Sequence, residues 1–167
     1  IFYGIWLHYV ENVIKYINEK KYLGTAGSIG HLKGNLNDPF FIMNADLIYK
    51  INYRKVLDFF YKKNSDFVIV SHYHEYKLDY GELKNVKTKL ISITEKPLKK
   101  YLVASGIYLA SQRIQQLVKF NEYLDMPDLI HKLIAKGLRV NVFINNNYWK
   151  DISDLKSLKK INIDFNT

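Results

Sequence analysis

Short, continuous apolar runs alternate along this chain with stretches in which apolar positions recur every three to four residues. This alternation predicts strands and helices in turn. Val13 to Ile17 alternates apolar and polar side chains and reads as a strand. Thr25 is placed to N-cap a short helix with Ile29 and Leu32 on its inner face. Asn35 to Pro39 carries turn chemistry, and the run Phe40-Phe41-Ile42-Met43 after it is too short for a helix. Such a run fits a central strand covered on both faces, as in a parallel sheet. Asn52 then caps a helix on which Tyr53, Val56, Leu57 and Phe60 share a face. Asn64 ends that helix, and Phe67 to Val70 is a second buried strand.

The middle of the chain breaks the alternation. Tyr80 to Leu83, Leu90 to Ile93 and Leu102 to Leu109 are strand-like with no helical pattern between them. They predict an antiparallel or mixed excursion that lies as a lid over one sheet edge. Helices resume with Ser111 as the cap of a segment carrying Ile114, Leu117 and Val118. Pro127 marks the start of another, whose apolar face is Leu129, Ile130, Leu133 and Ile134, and Gly137 closes it. Val140 to Ile144 is a strand, and Asp154 to Ile161 a last helix. No repeat or linker divides the chain, so residues 1–167 form one α/β domain.

Composition changes this picture little. The absence of cysteine excludes disulfides and thiolate metal sites. No run of about 18 apolar residues exists, so no membrane-spanning helix and no membrane partner are expected. The apolar Ile1 to Trp6 is too short for a signal peptide and lacks its basic start, and a cytoplasmic protein is expected. A chain opening on Ile1 is expected to be a processed or partial sequence. The net charge of +9 fits a nucleic-acid surface or a compositional bias. The cations are nearly all Lys, scattered in pairs such as Lys62-Lys63, Lys99-Lys100 and Lys159-Lys160. Nucleic-acid footprints cluster and lean on Arg, so no nucleic-acid partner is expected.

Asn44-Ala45-Asp46 ends a strand that carries no other charge. A carboxylate at the carboxyl end of an α/β strand sits where ligands bind and can hold Mg2+, or it can cap the next turn. Leu23-Gly24-Thr25-Ala26-Gly27 either lets backbone approach a flat ligand or is a tight turn before a helix. In Glu95-Lys96-Pro97 the lysine is a point charge suited to phosphate. Asp151, in Tyr148-Trp149-Lys150-Asp151-Ile152, is either a second metal ligand or a helix cap. His72 and His74 share a strand face beside Glu75. They could form a zinc pair, but two imidazoles on a fraying strand end more often face solvent.

Taken in order, these segments resemble the sugar-nucleotidyltransferase family, whose members make nucleotide sugars from a nucleoside triphosphate (NTP) and a sugar 1-phosphate. Leu23 to Gly27, Phe41 to Asp46, Tyr80-Gly81, Thr94 to Pro97, Ser105 to Tyr108, Asp125 to Leu129 and Trp149 to Ile152 carry the resemblance. The Asp-Met-Pro and Trp-x-Asp-Ile segments are closest to mannose-1-phosphate guanylyltransferase-like members, which include bacterial enzymes of surface-glycan synthesis. The resemblance implies a Rossmann-like three-layer fold with a mixed central sheet whose N-terminal strands are missing from this chain. It implies that Asp46 and Asp151 hold a catalytic Mg2+, with Lys96 as a third catalytic group. Gly24, Thr25, Ala26 and Gly27 would lie against the nucleotide, and Gly81, Glu95, Lys96 and Gly106 would bind the sugar phosphate. A homo-oligomer is compatible with it.

Departures from the pattern are Ala45 and Ser153 where glycine is usual, and Ala104 where a sugar-binding Asn is common. The family's Gly-rich triphosphate loop has no counterpart in Ile1 to Lys21. These residues alone are therefore expected to be inactive, and a non-catalytic nucleotide-sugar-binding remnant is the alternative.

Overall fold

The computed structural model describes residues 5–8, 13–16, 18–32 and 38–152. Part of the turn expected over Asn35 to Pro39, and the whole helix expected over Asp154 to Ile161, lie outside them. In chain order, β1 (Ile5–His8) pairs antiparallel with β2 (Val13–Tyr16). A 3-10 turn (Gly27–His31) leads toward β3 (Phe40–Met43) and β4 (Leu47–Tyr49). Then come α1 (Tyr53–Lys62), β5 (Phe67–Lys77), β6 (Glu82–Val86), β7 (Lys89–Thr94) and β8 (Leu98–Ala110). A second 3-10 segment (Gln112–Leu117) precedes α2 (Met126–Ala135), β9 (Val140–Ile144) and β10 (Trp149–Asp151).

The central sheet has the order β3-β8-β5-β9. Strand β8 runs antiparallel to β3 and β5, while β9 is parallel to β5, so the sheet is mixed. Alternate side chains of each strand enter two different cores, as the two-residue period of a strand requires. On one face Phe40, Ile42, Phe67, Tyr108 and Ala110 meet Ile29, Ile114, Leu129 and Leu133 from the 3-10 segments and α2. On the other, Val68, Val70, Ile107 and Leu109 meet Val56 and Phe60 of α1. Helix, sheet and helix form three layers.

The structure corrects several local expectations. Strand β3 is not a parallel central strand; among the described residues it closes one end of the sheet and pairs antiparallel with β8. Thr25 does not cap the 3-10 turn that follows it: Ala26 flanks that turn, with no side-chain cap. Ser111 does not cap the segment after it, because Asp38 Oδ1 accepts from the Gln112 N–H at 2.9 Å instead. Ile134 is 57 % exposed and lies off the apolar face of α2. Strands β1 and β10 were not foreseen. Asn52 does cap α1, its side chain accepting from Lys55 N–H at 3.1 Å.

The central excursion is a two-stranded arm and not a lid. Strands β5 and β8 stay paired to Lys77 and Leu98, and the β6–β7 hairpin continues outward with every residue of β7 exposed.

Candidate active site

The carboxyl end of β3 and the strands around it create the site. The β5–β8 register jumps from Val70 opposite Ile107 to Ser71 opposite Ala104. Ser105 and Gly106 are thereby left without ladder partners on β5. A bulge of this kind re-aims backbone groups: the Ser105 carbonyl is freed from β5, while the Gly106 carbonyl carries the β3–β8 ladder one step further, to Asn44. Gly106 accepts from Asn44 N–H at 2.9 Å, and Ser105 accepts from the Trp149 indole Nε1–H at 2.8 Å. Gly106 has φ +76°, and a Cβ there would lie 2.9 Å from Asn44 Nδ2 and 3.1 Å from Leu47 Cδ1. Only glycine lets the Asn44-Ala45-Asp46 turn sit down on β8 this closely.

Beyond that turn, β4 pairs antiparallel with β10, placing Asp151 opposite Leu47. The Ile152 N–H donates to the Asp46 carbonyl at 2.9 Å. Two aspartate positions more than a hundred residues apart in sequence are thus neighbours on one ribbon. Asn145 ties the far end of this ribbon to the sheet, its Nδ2 donating to Lys50 O at 3.1 Å and its N–H to Ser71 O at 2.8 Å.

Trp149 also stacks on His72, with ring centroids 3.9 Å apart and planes 27° from parallel. His72 is therefore not solvent-facing: it is 8 % exposed, while His74 is exposed. Burial, with the nearby His74, holds the His72 pKa below the usual imidazole value. Among the described residues no group of three or more His, Cys, Asp or Glu is placed to hold a metal. Sequence reasoning missed the His72–Trp149 stack. Its only local signal is that His72 stands two residues past the apolar run Phe67 to Val70.

Gly81 and Glu95 form a second group where the hairpin joins the arm. A Cβ on Gly81 would lie 3.1 Å from Glu95 Oε2. Lys96 follows in a tight turn with φ +45° and is exposed.

The 24–27 turn forms a third group, laced to the start of α2. Thr25 N–H donates to Asp125 Oδ1 at 3.1 Å, and Thr25 Oγ1 accepts from Met126 N–H at 2.8 Å. Thr25 therefore caps α2, a hundred residues away. Gly24 and Gly27 face the chain itself: a Cβ would lie 2.6 Å from Leu124 O at Gly24 and 2.7 Å from Glu122 O at Gly27. Close backbone packing inside the protein explains these two glycines. Thr25 is the exposed member of the turn, and Ala26 is buried.

The Tyr123 hydroxyl donates to Asp125 Oδ2 at 2.6 Å and is itself pushed up to about 12. That bond, with the Thr25 N–H, holds the Asp125 carboxyl below its usual range. A carboxyl depressed in the folded state adds stability that is complete above the unfolded value, about 3.9, and is lost as pH falls through the folded value. Acid denaturation followed by circular dichroism should show a steeper loss below about pH 4 for the native chain than for Asp125→Asn.

The nucleotidyl transferase family model matches residues 7–167. A provisionally named mannose-1-phosphate guanyltransferase of Sulfolobus acidocaldarius is 27% identical over 165 residues, covering 96% of this chain and 45% of that protein. A glucose-1-phosphate adenylyltransferase of Clostridium novyi is 30% identical over 159 residues, covering 86% and 42%. The chain thus spans less than half the length of these relatives. Among solved structures, HddC from Yersinia pseudotuberculosis superposes with a TM-score of 0.60 at 24% identity, covering 88% of this chain and 64% of that one. HddC has also been solved in complex with GMP-PN, again with a TM-score of 0.60.

Proposed function

Since this chain belongs to the nucleotidyl transferase family, we propose that it serves transfer of a nucleotidyl group from an NTP to a sugar 1-phosphate, giving a nucleotide sugar and pyrophosphate. The single observation that carries this reading is the β4–β10 pairing, which makes neighbours of Asp46 and Asp151. The reaction forms a bond from a sugar-phosphate oxygen to the α-phosphorus and breaks the bond from that phosphorus to the bridging oxygen of pyrophosphate. It asks the protein mainly for positioning and for neutralised charge.

Mg2+ fits the donor set, since it needs only one or two carboxylates and takes its other ligands from phosphates and water. Asp46 and Asp151 would hold it, and when bound it would offset the charge gathering on the phosphates. Lys96 would meet the sugar phosphate as a point charge, with Gly81, Glu95 and Gly106 along the sugar. The 24–27 turn would lie against the nucleotide through its exposed Thr25. The names of the curated relatives support a sugar 1-phosphate as the acceptor, and the GMP-PN complex of HddC supports a nucleotide ligand on this fold. The product would supply surface-glycan synthesis from the cytoplasm.

The test is pyrophosphate release with Mg2+, each common NTP and a panel of aldose 1-phosphates. It is run on this chain and on the longest reading frame that contains it. The longest frame should release pyrophosphate with one NTP–sugar combination, and this chain alone should be inactive. A longest frame that binds nucleotide sugar but turns over no combination would contradict the proposal.

A further inference from the structure

Among the described residues, the β4–β10 ribbon that carries both aspartates is not hydrogen-bonded into the central sheet as a strand. On the β4 side Leu47 and Tyr49 pack against the core beneath α1, and on the β10 side Trp149 supplies the contact to the sheet. The indole N–H is held by Ser105 O, and one indole face is held by the His72 ring. His72 lies on β5, directly after the bulge that frees the Ser105 carbonyl. The seat for Trp149 is thus built from both strands of the bulge, carbonyl from β8 and ring from β5.

The His72 ring is unusual for a buried imidazole. It is 8 % exposed, and neither Nδ1 nor Nε2 has a hydrogen-bond partner among the described residues. A buried polar group left unpaired costs stability, so hydrogen bonding does not account for this imidazole. What it does make is a stacked contact with Trp149, close enough for full van der Waals and π overlap. Asp151 follows Trp149 by two residues on the same short strand.

We propose that His72 is a positioning residue for the divalent-cation site: its ring fixes Trp149, and through Trp149 it fixes the β10 backbone beside Asp46. This rests on the reading of Asp46 and Asp151 as cation ligands. The ring surface does the positioning, not the nitrogens. Groups outside the ligand shell that orient ligands shift metal affinity by about 10–100-fold when removed, and His72 would act at the lower end of that range.

The test uses Mn2+ alone, with binding followed by electron paramagnetic resonance on the native chain and on His72→Ala, His72→Phe and Asp46→Asn. Each is measured well below its unfolding temperature. Asp46→Asn should abolish specific binding. His72→Ala should weaken it about tenfold. His72→Phe, which keeps the stack and removes two unpaired nitrogens, should restore native affinity and raise the unfolding temperature. His72→Ala that binds Mn2+ like the native chain would overturn the inference, as would His72→Phe that fails to restore binding. Native and Asp46→Asn proteins that bind alike would instead sink the cation reading, and the inference with it.

Discussion

Gly24→Ala is expected to destabilise the fold by about 3–5 kcal/mol, among the largest effects a single methyl group can have. Two costs combine. The backbone is in the left-handed region at φ +78°, which costs an alanine roughly 1 kcal/mol. The added Cβ would also lie 2.6 Å from Leu124 O and 2.8 Å from Leu124 C. Those are backbone atoms, so no rotamer change relieves the overlap, and residues 122–126 must move as a unit. That movement would pull Met126 N–H from Thr25 Oγ1 and Ala26 N–H from Leu124 O, unlacing the turn from α2. A shift of about 10 °C in unfolding temperature follows for a domain of this size. Thermal and urea denaturation of the two proteins would measure it, and a change under about 1 kcal/mol would refute the packing role given to Gly24.

The parts of the fold that were legible in the sequence are those fixed by local pattern. The apolar run at Phe40 to Met43, the Asn52 cap with its spaced apolar residues, and the strand at Val140 to Ile144 all stand where the pattern puts them. The parts that were not legible depend on partners far along the chain. Thr25 looks like a cap for the turn beside it, yet its hydroxyl accepts from Met126. Ser111 looks like a cap too, but Asp38 performs that task from 74 residues upstream. Strand β10 is three residues long and has no period of its own, so only its pairing with β4 makes it a strand. His72 stood beside polar neighbours in sequence, and its burial follows from Trp149 arriving over it. The candidate site divides the same way. The motifs supply its candidate members, while the bulge at Val70 and Ser71, which frees the Ser105 carbonyl to hold Trp149, is marked in the sequence only by Gly106 inside a strand pattern.

The second large effect concerns the two aspartates. Asp46→Asn in the longest reading frame is expected to lower turnover roughly a thousandfold, in line with removing one principal charge-stabilising group from an active site. Asparagine keeps the size and leaves the backbone contact between Ile152 N–H and Asp46 O intact. The loss would therefore report charge and not misfolding, and native-like unfolding temperatures for the variant would check this. Asp151 is drawn into the same ribbon by its register opposite Leu47. Two groups that hold one ion act as a unit, and their losses do not multiply.

The central claim is that Asp46 and Asp151 form one cation site. The measurement that tests it most directly is a double-mutant cycle on turnover, with Asp46→Asn, Asp151→Asn and both together. The account predicts that each single change costs roughly a thousandfold and that the double variant is about as active as either. Full activity in either single variant, or losses that multiply to about a millionfold in the double, would contradict it.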